Sequence, residues 1–74
     1  MMKTQNTIKL QCYTSRTMCV EDLTKQGCKD LGWLNEGIKI PKGHYKEVYE
    51  NRYDNESVYL DENLKLFYSV DTSD

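Results

Sequence analysis

Between Ser57 and Val70 the chain alternates with a period of two. Leu64, Leu66, Tyr68 and Val70 fall on one side of an extended backbone, and Lys65, Phe67 and Ser69 on the other. Val58 and Leu60 repeat the alternation upstream. Asp61-Glu62-Asn63 between them supplies turn residues, with Asn63 suited to a left-handed conformation. The stretch is predicted as a β-hairpin whose inward face is the Leu64 to Val70 series, with Tyr68 in the core. At the other end, Ile8, Leu10 and Cys12 alternate with Lys9, Gln11 and Tyr13, which predicts a first strand over residues 7–13 with Cys12 facing inward.

The period then changes. Residues 14–17 are polar and read as a turn, after which Val20, Leu23, Gly27 and Leu31 recur at three and four residues, the spacing of one helical face. A short helix is predicted over about 20–31. Glu21 and Asp22 suit its start, Lys29 suits its end and Gly32 stops it. Gly27 in its middle costs about 1 kcal/mol against alanine. Trp33 and Leu34 are expected beneath the sheet. Ile38 and Ile40 flank Lys39 in a short extended piece ended by Pro41, and Lys42-Gly43 bends the chain. Residues 44–50 read as a strand, 51–56 as a polar loop centred on Tyr53, and 71–74 as a fraying end. The expected class is α+β: one domain over 1–74, with an antiparallel sheet of four to five strands, partly closed into a small barrel, and one short helix.

Seventy-four residues are too few to enclose a large substrate cavity. No apolar run approaches the roughly 18 residues of a membrane-spanning helix. The opening MMKTQNTIKL lacks the apolar stretch and cleavage site of a signal peptide. The three cysteines are odd in number and irregularly spaced, so a reducing cytoplasm is expected rather than a disulfide framework.

Charge separates along the chain although the net is only -2. Residues 1–46 hold eight Lys or Arg against four acids, and residues 47–74 hold two against eight. Such an asymmetry steers a partner toward one face.

Catalytic and metal chemistry find little support. Cys12, Cys19, Cys28 and His44 form a donor set that zinc accepts, but their separations lack the two-to-four-residue knuckle of structural zinc sites. Cys28 as nucleophile with His44 as base lacks an orienting third group. Asp61 and Glu62, adjacent on a hairpin tip, diverge. The four glycines are isolated, so no phosphate-cradling loop is present. No enzyme activity, metal or cofactor is expected.

Binding surfaces are better represented. Lys39, Lys42, Lys46 and His44 surround a turn beside Tyr45 and Tyr49, a combination that suits single-stranded nucleic acid, although the acidic total opposes it. Six tyrosines are the most unusual feature of the composition. Tyr49, Tyr53 and Tyr59 lie among Glu47, Glu50, Asp54, Glu56, Asp61 and Glu62. These nine residues are the expected partner-binding surface, because tyrosine offers rigid area with a polar tip. Pairing of two copies through strand edges is a further alternative.

The run IPKGHYKEV (40–48), the hairpin VYLDENLKLFYSV (58–70) and the strand IKLQC (8–12) resemble small SH3-like barrel proteins of phages and prophages of Gram-positive bacteria. The likeness covers residues 7–13 and 38–70; the segment 18–34 departs from it as an insertion. It implies a binding module from a mobile element, some of whose kind inhibit host machinery or defence. Combined with the acidic, tyrosine-rich C-terminal half, it leads to one expectation. The chain is a non-enzymatic inhibitor that occupies a basic, nucleic-acid-binding surface of a bacterial host or defence protein, as anti-CRISPR proteins do, with a small nucleic-acid-binding regulator as the alternative.

Overall fold

The computed structural model describes residues 8–72. Helix α1 (Arg16–Lys25) is followed by β1 (Lys29–Trp33), a 3-10 turn (Leu34–Glu36), β2 (Lys46–Asn51), β3 (Glu56–Asp61) and β4 (Leu66–Asp71). The class is α+β, with one helix on a four-stranded sheet in the order β1-β4-β3-β2. The sheet is mixed rather than antiparallel throughout, because β1 pairs with β4 in parallel. It is also open, with β1 and β2 as its edges.

The helix begins four residues before the expected start because the polar run ahead of it contains a cap. Ser15 has extended backbone angles, and its hydroxyl accepts the Met18 N–H at 3.1 Å. It also ends earlier. Gly27 has φ +92°, and the N–H groups of Gly27 and Cys28 donate to the carbonyls of Thr24 and Leu23, both at 3.0 Å. These paired bonds satisfy the last carbonyls of the helix, so Gly27 terminates it instead of weakening its middle. The residues expected to continue the helix, Lys29 to Leu31, instead form β1.

Cys19 and Leu23, one turn apart, bring α1 onto the sheet. They join Ile8, Cys28, Tyr49, Val58, Leu60 and Phe67 in the buried core. A fully buried leucine such as Leu23 contributes about 1.5–3 kcal/mol. Register fixes the two faces: Val58 lies opposite Ser69 and Leu60 opposite Phe67 on the helix side, whereas Tyr59 lies opposite Tyr68 on the other. The inward face of β4 is therefore Phe67 and Ser69, the phase opposite to the one expected. The hairpin itself is as predicted, but Lys65 (φ 57°) takes the left-handed position in place of Asn63.

The predicted first strand is replaced by irregular chain over residues 8–13; residue 7 lies outside the described residues. A side-chain amide takes the place of a ladder there, since Gln26 accepts the Lys9 N–H and donates to the Lys9 carbonyl, each at 2.8 Å. Ile8 is buried, but Cys12 is exposed. Residues 38–40 form no strand and belong to the connection from β1 to β2. Trp33 is half-buried with the Arg16 guanidinium 4.4 Å from its ring centroid, and Leu34 is exposed.

Candidate functional site

On the sheet face away from α1, Tyr59 and Tyr68 stack with centroids 5.6 Å apart and planes inclined by 14°. Tyr45, at the end of the β1–β2 connection, meets Tyr68 edge-on at 5.0 Å and 64°. Stacked and edge-on ring pairs of this kind add about 0.5–1.5 kcal/mol beyond area burial. Tyr45 donates its hydroxyl hydrogen to the Pro41 carbonyl at 3.1 Å. Burial raises the pKa values of Tyr45 and Tyr68. The Asp61 charge adds to the first, and the neighbouring phenols to the second. Both therefore stay neutral hydrogen-bond donors at physiological pH.

The acids beside these rings are placed by a β-bulge. Glu47 is paired with Tyr59, the register then shifts, and Tyr49 pairs with Val58. Without the extra residue, Glu47 and Tyr49 would share a face. With it, Val48 and Tyr49 both pack toward the core, and Glu50, opposite Ser57, returns to the side of Glu47. Glu47 and Glu50 are exposed along the edge strand next to Tyr59.

The nine expected binding residues are thus divided. Glu47, Glu50 and Tyr59 come together. Tyr49 does not join them: it is 7% exposed, in the core on the helix side, and its hydroxyl accepts from Asn51 Nδ2 at 3.1 Å. Asp61 is also withdrawn from the surface, being 3% exposed. Its Oδ1 accepts the N–H groups of Asn63 and Leu64, and its Oδ2 that of His44. The Leu64, His44 and Asn63 N–H groups lower its pKa against the opposing effect of burial. Glu62 forms an ion pair with Lys46 at 3.5 Å. Glu56 is half-buried at the start of β3. Tyr53 and Asp54 stand on the β2–β3 turn, about 10 Å or more along the strand from Tyr59.

Tyr45 and Tyr68 belong to the cluster although the sequence pattern places one in a basic patch and the other in the core. The four-residue loop 62–65 carried the signal. Once Asp61 and Leu66 are paired across it, Tyr59 must face Tyr68. Lys39, Lys42 and His44 are exposed, but Lys46 is paired with Glu62 and the Tyr45 ring is engaged with Tyr68.

Two open concavities are lined by the described residues. One, of about 570 Å³, lies between residues 11–13 and α1, with Gln11, Tyr13, Met18 and Lys25 in its walls. Tyr13 donates to the Asp22 carboxylate there. Burial, then that bond and charge, raise the Tyr13 pKa further above its ordinary value. The other, of about 470 Å³, lies over Gly43 and Leu64. Among the described residues no group of three His, Cys, Asp or Glu is arranged to hold a metal ion. Of the donors considered above, Cys12 is exposed, Cys19 and Cys28 are buried, and His44 is exposed. No described helix is long and apolar enough to cross a membrane. No protein-family model, curated protein or solved structure matches the chain.

Proposed function

We propose that this chain is a non-enzymatic protein-binding module that lays its acidic, tyrosine-bearing sheet face on a basic surface of another protein. The observation that carries the reading is the Tyr59–Tyr68 stack, with Tyr45 edge-on and Glu47 and Glu50 on the adjoining strand. Carboxylates stand where phosphates otherwise lie, and phenol rings offer flat apolar area with polar tips. Grooves built for nucleic acid accept both. The excess of acids over residues 47–74 draws such a surface in from a distance and raises the association rate.

In its concrete form the proposal follows the resemblance to small SH3-like proteins of phages and prophages. The source is a phage of Gram-positive bacteria, the compartment is the host cytoplasm, and the target is a host or defence protein such as a CRISPR effector. The resemblance covers residues 7–13 and 38–70, and β2, β3 and most of β4 lie within the second stretch.

The test is affinity capture from a bacterial lysate with the wild type and with Glu47→Lys/Glu50→Lys, followed by elution with single-stranded DNA. The wild type is expected to retain a nucleic-acid-binding protein that DNA displaces and the double reversal does not retain. Equal retention by both proteins overturns the reading.

A further inference from the structure

Tyr53 is 97% exposed at the tip of the β2–β3 turn, yet the backbone beneath it is held from several sides. Asn51 Oδ1 accepts the N–H groups of Tyr53 and Asp54 at 2.9 and 3.1 Å. Asn51 Nδ2 lies 3.1 Å from the Tyr49 hydroxyl and 3.2 Å from Asp54 Oδ2. Asn55 is left-handed (φ 53°), and its carbonyl accepts the Thr72 N–H at 2.8 Å.

The β3–β4 turn repeats this device ten residues later. Asp61 takes the place of Asn51 and accepts the N–H groups of Asn63 and Leu64. Lys65 takes the place of Asn55, with φ 57° and its carbonyl on the Lys29 N–H at 2.9 Å. The residue corresponding to Tyr53 is Asn63, so the turn geometry needs no aromatic side chain at this position. At 97% exposure the Tyr53 ring covers almost none of the molecule's own surface.

We propose that Tyr53 is a pre-positioned anchor that inserts into an apolar, cation-rimmed pocket on the partner protein, beside the surface that receives the acidic sheet face. The inference rests on the protein-binding reading above and adds a second contact to it. A turn already ordered before association spares the partner the entropy of fixing it, and tyrosine is among the residues that dominate binding energy when seated in a pocket. The cationic rim follows from exposed Glu50 and Asp54, which flank Tyr53 along the chain and outnumber the one base between them, Arg52.

Tyr53→Asn copies the other turn and is the discriminating variant. Its binding to the purified partner recovered with the wild type is compared with that of Tyr53→Phe and Glu47→Lys/Glu50→Lys. Tyr53→Asn is expected to weaken binding by at least about 30-fold, chiefly through faster dissociation, while Tyr53→Phe stays near the wild type. The unfolding midpoints of both Tyr53 variants are expected to match the wild type, as for surface substitutions generally. Binding by Tyr53→Asn within about threefold of the wild type, or a clear fall in its unfolding midpoint, overturns the anchor. Loss of binding in the charge reversal alone also overturns it and keeps the sheet face. Loss in Tyr53→Asn alone keeps the anchor and overturns the face. Recovery of no partner overturns both.

Discussion

The Asp61 carboxylate and the backbone N–H of His44, seventeen residues apart, meet at 2.7 Å. One side chain thereby organises two segments. Oδ2 fixes the end of the β1–β2 connection, while Oδ1 closes the β3–β4 turn through Asn63 and Leu64 at 2.8 and 3.0 Å. Charge-assisted bonds from three N–H groups account for a carboxylate that is almost fully covered. Tyr45 follows His44 directly, so its place against Tyr68 depends on the same anchor.

Gly43 is required by this arrangement for space, since its φ lies outside the left-handed region. A Cβ there would sit 2.5 Å from Asp61 Oδ2 and 2.9 Å from Leu64 Cδ1. Gly43→Ala is expected to cost about 1–3 kcal/mol, as overpacking does. Gly37→Ala meets no atom within 4 Å and is strained only through its φ of +76°. Urea unfolding of the two variants checks this, and a neutral Gly43→Ala contradicts it.

Acid should weaken the fold through Asp61. Its folded pKa is lowered from the ordinary value of 3.8, so its contribution is complete above that value and is lost as pH falls through the lower folded one. Asp61→Asn is expected to have a lower denaturant midpoint than the wild type at pH 7. The gap should narrow below about pH 4. Parallel curves from pH 7 to pH 2 would show that the carboxylate charge is not what the three N–H groups hold.

Phase along β4 is directly measurable. Phe67→Ala removes a fully buried ring and is expected to cost about 3–5 kcal/mol. Val70→Ala acts on the half-buried opposite face and is expected to cost less than about 1.5 kcal/mol. Thermal or urea denaturation ranks them; the reverse order would restore the inward face that alternation alone suggests.

The cysteines differ in reach and reactivity. Cys12 is exposed. Cys19 is fully buried, and its thiol is pushed up to about 11 by burial and the Asp22 charge against the opposing Arg16. Burial also raises Cys28. Iodoacetamide at pH 8 is expected to add one group to the native protein, at Cys12, and three in denaturant. Mass spectrometry counts them, and rapid native labelling at Cys19 would contradict the packing of α1.

Local rules were enough for several elements. The β3–β4 hairpin, a strand expected over 44–50 and found at 46–51, one helix containing Val20 and Leu23, and the tyrosines and acids of the C-terminal half were all legible in the sequence. Each follows from a short-range property: a period, a turn residue, or a charge. The cap at Ser15 and the terminator at Gly27 appear only in the structure, because the polar run 14–17 reads as a turn and the apolar spacing continues through Gly27 to Leu31.

Phase and partnership were left to the tertiary structure. Alternation says that neighbouring side chains point in opposite directions, but both phases of β4 hold large apolar groups. Only the seating of Cys19 and Leu23 in one core with Val58, Leu60 and Phe67 decides which phase is buried. The same holds for the parallel docking of Lys29–Trp33 on β4 and for the bulge that parts Tyr49 from Glu47. These outcomes depend on which surfaces, distant along the chain, exclude water together, and no local period encodes that choice.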